Sequence, residues 1–102
     1  DDVIDYSGLE NYRGNSWQRQ LHLFEVPFYY IEYGIAQLGA IGMWMQYKKD
    51  KKQALDNYCN ALSLGGTKAL PELFKTAGLE FDFSPEKIKV LMDFVSKEME
   101  AL

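Results

Sequence analysis

Residues 27–48 read PFYYIEYGIAQLGAIGMWMQYK. Pro27 has a fixed φ and lacks only a donor that a first helical turn leaves unused, so the run predicts a helix from about Pro27 to Lys48. From Gly34 onward the residues are apolar on nearly every side, the pattern of a central helix packed by several neighbours. Gly34, Ala36, Gly39, Ala40 and Gly42 leave gaps through which other helices can approach closely. A glycine inside a helix costs about 1 kcal/mol relative to alanine, so close packing or function has to compensate at these positions. The apolar stretch from Gly34 to Met45 is interrupted by Gln37 and falls short of the roughly 18 to 20 residues that span a bilayer. It predicts an interior helix of a globular protein.

On either side of this helix the signals are also helical. Ser16 is placed to cap a short helix beginning at Trp17, with Trp17, Leu21 and Phe24 on one face and His22 near its C-terminal end. Residues 51–64 form an amphipathic helix with Leu55, Tyr58, Cys59 and Leu62 on its apolar side, and Gly65-Gly66 stops it. Pro71 opens a short helix that ends at Gly78, with Leu70, Leu73, Phe74 and Ala77 inward. Ser84-Pro85 supplies an N-cap and first helical residue for a last helix reaching Leu102, with Ile88, Leu91, Val95 and Met99 at core spacing. Residues 79–83 alternate like a strand but have no partner strand, so they read as an extended link. Residues 1–15 are acidic and turn-rich and read as an irregular lead-in. The expectation is an all-α bundle of about four to five helices, forming one unit over residues 1–102.

Composition narrows the partners. The chain has 102 residues, 47% hydrophobic and 25% charged, with a formal charge of −4, so it should fold and has no electrostatic reason to bind nucleic acid or an anionic membrane. Its one basic run, Lys48-Lys49-Asp50-Lys51-Lys52, reads as a solvated turn between helices. The only cysteine, Cys59, cannot form an internal disulfide, which points to a reducing, cytoplasmic compartment. The acidic start has no apolar segment of a secretory signal, and a chain beginning with Asp is expected to be a piece of a longer protein.

The chemistry-bearing groups are few. With one histidine and no HExxH, the chain lacks the three ligands that a catalytic zinc requires. A Cys59–His22 dyad is disfavoured because a thiol on an apolar helix face stays un-ionised. What remains is the cluster His22, Tyr29, Tyr30 and Tyr33, where i, i+3 and i, i+4 spacing on a helix would align the phenols just after the helix carrying His22. Phenol O–H and imidazole N–H groups held together would suit a peptide carbonyl or the oxyanion formed from it. Tyrosines at a bend can equally well just pack, with their hydroxyls bonded to backbone.

The run from Trp17 to Ala40, with its His22, Pro27-Phe28-Tyr29-Tyr30, Tyr33 and small-residue helix, resembles the block that follows the zinc site in oligoendopeptidase F and its thimet-oligopeptidase relatives. The later pattern of Tyr58, Gly65-Gly66, Leu73-Phe74, Ala77-Gly78 and a terminal amphipathic helix looks like the end of such enzymes. The resemblance implies the C-terminal portion of a larger helical metallopeptidase catalytic domain that hydrolyses peptide bonds in short peptides. It implies that His22 and Tyr33 are the carbonyl or oxyanion donors, Tyr30 a second substrate-binding phenol, and Tyr29 a looser match that packs or adds a contact. The zinc would be held by the parent enzyme with no ligand from this chain, so the chain alone should be inactive. The implied partners are an oligopeptide substrate and the remainder of the peptidase chain, with self-association of the isolated piece if its long helix is poorly covered. Two alternatives stay open: a stand-alone helical peptide-binding or protein-interaction module, and a scaffold role alone.

Overall fold

The computed structural model describes residues 3–101, and among them the chain is all-α. Six helices follow in order: α1 (Glu10–Asn15), α2 (His22–Glu25), α3 (Ile31–Lys49), α4 (Lys51–Leu64), α5 (Leu70–Thr76) and α6 (Pro85–Glu100). Short 3-10 turns occupy Ser16–Arg19 and Gly65–Thr67, and no described residue lies in a strand. No helix among them is long and apolar enough to cross a membrane. The chain divides into two compact units, the first ending at Tyr33 and the second beginning at Gly34.

In the second unit, capping chemistry fixes the helix limits. Asp50, inside the basic run, accepts the backbone N–H of Gln53 at 2.9 Å and starts α4. Gly65, at φ 52°, ends it. Pro71 stands in the first turn of α5, and the Ser84 hydroxyl accepts the Lys87 N–H above Pro85 to start α6. The 79–83 link is extended, as its sequence predicts. The stretch of α6 expected to run on to Leu102 lies partly outside the described residues.

Burial in this unit is concentrated on small side chains. Ala54 (2% exposed), Leu91 (5%), Ala77 and Gly42 are the buried residues. Trp44 meets Phe94 edge-on with ring centroids 4.8 Å apart, and Phe74, Phe81 and Phe83 form a mutual edge-to-face set. A polar clamp joins the helices: Gln46 Nε2 donates to the carbonyls of Ala77 (3.2 Å) and Gly78 (2.8 Å), while Asn57 Nδ2 donates to Gln46 Oε1. The clamp satisfies carbonyls at the end of α5 that have no intrahelical donor.

Three packing expectations are corrected here. The long helix α3 is not enclosed on several sides; Gly42 is its only buried residue. Its tightest approaches are at its glycines, where a side-chain carbon at Gly42 would stand 2.8 Å from Leu79 Cδ2 and one at Gly39 3.2 Å from Phe74 Cζ. On α4 the buried line is Ala54, with Asn57, Ala61 and Leu64 partly covered, and the bulky stripe of Leu55, Tyr58 and Leu62 stays outside with Cys59. Small side chains let helices approach closely, and that advantage goes to the alanine line. Met99 and Leu70 are likewise exposed, not core.

In the first unit, the lead-in is not irregular throughout. Residues 10–15 form α1, with Glu10 in its first turn and Arg13 in its last, each on the side the helix dipole favours. The helix expected from Trp17 to Phe24 is broken by the extended backbone of Gln20 (φ −87°, ψ 92°), and Ser16, expected to start it, instead closes α1 with its backbone N–H on the Arg13 carbonyl. His22 consequently opens α2 and does not close a longer helix. Trp17 and Phe24 still meet, stacked with centroids 5.9 Å apart. No described residue of this unit is buried.

Candidate functional site

The geometry around His22 is set by a reversal between α2 and α3. Val26 accepts the Tyr29 N–H at 3.1 Å, Pro27 occupies the second position of the turn, and Phe28 occupies the third with φ 67°. A positive φ at that position is what a type II turn demands, and it is ordinarily met by glycine. A phenylalanine held there costs of order 1–3 kcal/mol, and its ring, 96% exposed, recovers nothing by packing. This turn overturns the expected helix start at Pro27: α3 begins at Ile31. Tyr29 and Tyr30 therefore lie before the helix, not along it, and only Tyr33 sits on its first turn, where its N–H donates to the Tyr30 carbonyl at 3.3 Å.

The reversal brings all four sequence-selected residues together. From the imidazole of His22, ring centroids lie 6.3 Å away at Tyr29, 5.3 Å at Tyr30 and 5.3 Å at Tyr33. Tyr33 in turn meets Tyr29 at 6.0 Å and Tyr30 at 5.5 Å, both edge to face. His22 Nε2 and Tyr33 Oη are in hydrogen-bond contact at 3.1 Å. The imidazole is half-buried beneath rings that are themselves open to solvent, Tyr33 being 52% exposed. Such an arrangement can present phenol O–H groups to a carbonyl oxygen arriving from solvent, with the imidazole behind them.

Cys59 lies in the second unit and is exposed, so the apolar burial expected for its thiol is not met. Among the described residues no group of three or more His, Cys, Asp or Glu side chains is placed to hold a metal ion. The described residues therefore do not fit a zinc site.

Two features escaped the sequence. Phe28 carries no signal for a left-handed backbone, since only the Pro27 before it hints at a turn. The Gln46–Asn57 clamp could have been sought from Gly78, whose φ of 71° marks a helix end with free carbonyls.

Comparison with curated proteins finds no match, and neither does comparison with solved structures. Residues 4–91 match the sequence profile of peptidase family M3, spanning most of the chain and taking in His22 and all three tyrosines. On that match, the chain belongs to peptidase family M3.

Proposed function

We propose that this chain is the C-terminal part of an oligoendopeptidase F-like zinc oligopeptidase and supplies the hydrogen-bond donors that hold the carbonyl of the cleaved peptide bond. Tyr33 is the principal donor, Tyr30 a second, and Tyr29 lines the same opening. The supporting observation is the contact between His22 Nε2 and Tyr33 Oη inside a ring cluster whose phenols face solvent. A fixed donor costs no reorganisation when charge develops on the substrate oxygen, which is why such groups accelerate acyl transfer. Zinc and its ligands belong, in this reading, to parts of the parent peptidase outside these residues.

The exposed stripe of Leu55, Tyr58 and Leu62 on α4 favours a packing partner, which we take to be the remainder of the peptidase chain. Self-association of the isolated chain would use the same apolar surface. An unpaired, exposed Cys59 fits a reducing, cytoplasmic setting.

The test is Tyr33→Phe in the intact, zinc-loaded peptidase. Losing one oxyanion donor should lower kcat about 100- to 1000-fold with KM little changed. Normal turnover with this variant would refute the assignment.

A further inference from the structure

Among the described residues His22 makes one side-chain hydrogen bond, between Nε2 and Tyr33 Oη. Its other ring nitrogen, Nδ1, is shut off from solvent and has no hydrogen-bond partner among the described residues. A neutral imidazole carries its proton on one nitrogen only, so the two choices give the site opposite characters. With the proton on Nδ1, a donor is buried unpaired, the arrangement that folded proteins most consistently avoid. Nε2 would then accept from Tyr33, and the phenol's only proton would point back into the cluster. With the proton on Nε2, it is given to Tyr33 Oη, and Nδ1 is a bare acceptor beneath the neighbouring rings. Tyr33 then keeps its own O–H for a partner outside.

Building on the function proposed above, we infer that His22 is held as the Nε2–H tautomer and is a positioning residue: it donates to Tyr33 Oη, and Tyr33 alone of the pair touches the substrate carbonyl. The rings support this division of roles. Tyr29 lies nearly parallel to the imidazole, at 7°, and Tyr30 is tilted against it at 46°, and the imidazole's Nδ1 is buried while the three tyrosines are exposed. A hydroxyl that accepts one hydrogen bond donates a stronger second one, which gives the contact a purpose beyond packing. The carbonyl that Tyr33 would hold needs a donor, and only this tautomer provides it.

Because the chain has one histidine, labelling it with 15N-histidine yields the imidazole signals of His22 alone. In a buffer alkaline enough for the ring to be uncharged, Nε2 should resonate as a protonated, pyrrole-type nitrogen and Nδ1 as a bare, pyridine-type one. Tyr33→Phe should shift Nε2, whereas Tyr30→Phe should leave the tautomer unchanged. A protonated Nδ1, or an even mixture, in the unaltered chain overturns the inference. The second arm uses the intact peptidase. His22→Ala should lower kcat, His22→Gln should recover part of it through its amide donor, and adding His22→Ala to Tyr33→Phe should cost no more than a further twofold. A double variant slower than Tyr33→Phe by the full factor of His22→Ala alone would mean that His22 reaches substrate itself, and only this inference would fall. If Tyr33→Phe alone leaves kcat untouched, the function proposed above falls instead.

Discussion

Every buried residue of the described chain lies from Gly34 onward, whereas the stretch up to Tyr33 has none and is held by turns, short-range side-chain hydrogen bonds, the His22–Tyr33 contact and ring contacts. The later unit draws its order from helices joined by alanine-lined packing and by the Gln46 clamp. The earlier one holds its aromatic cluster by local backbone geometry, including a phenylalanine in a conformation that glycine normally takes. On the proposed function, packing energy and chemistry are thereby separated along the sequence. Substitutions after Gly34 should register in stability, and substitutions around His22 in function.

The contrast is most exposed at Leu91. Truncating this 5%-exposed side chain to alanine removes buried apolar surface and leaves a void, so Leu91→Ala should lower unfolding free energy by about 2 to 5 kcal/mol in a urea titration. A loss below about 1 kcal/mol would mean the later unit is no better packed than the earlier one. Gly78→Ala comes next. It places a side chain at φ 71°, 2.7 Å from Asn57 Nδ2 and 3.1 Å from Gln46 Oε1, and should cost about 2 kcal/mol by strain and loss of the clamp. Gln46→Ala in the same background should then add little, because the clamp is already broken.

Gly34→Ala has the smallest effect and the opposite sign. Nothing among the described residues lies within 4 Å of a carbon added there, and the position is helical, so alanine should stabilise by about 0.5 to 1 kcal/mol. A fall in the urea midpoint would show that Gly34, at the junction of the two units, is kept for a close approach that this chain alone does not display.

Much of the later unit is legible in the sequence because its signals are local. Pro71, Ser84-Pro85 and Gly65 mark helix ends through single-residue φ preferences and capping bonds, and the helices begin and end close to where those residues put them. Which side of α4 is buried is not local. The bulky stripe of Leu55, Tyr58 and Leu62 carries the amphipathic signal, but the helix packs through Ala54 and Ala61, whose small size matters only once a neighbour is known. The enclosure expected for α3 fails similarly: an apolar surface states a demand for cover, and whether cover exists depends on other chain segments. In the earlier unit, His22, Tyr29, Tyr30 and Tyr33 could be picked out by residue type and spacing, and the structure gathers them. The means of gathering was not readable, since the spacing argument assumed a continuous helix and the chain uses a strained turn at Phe28. The burial of His22 Nδ1 was equally hidden.

The most direct measurement takes Tyr33→Phe in the intact, zinc-loaded peptidase and records kcat and the unfolding midpoint on the same preparation. A fall in kcat of about 100-fold or more, with the midpoint unmoved, is expected of a solvent-facing donor on a stretch that carries little of the packing. Unchanged kcat, or a loss of activity that merely follows a lowered midpoint, would contradict it.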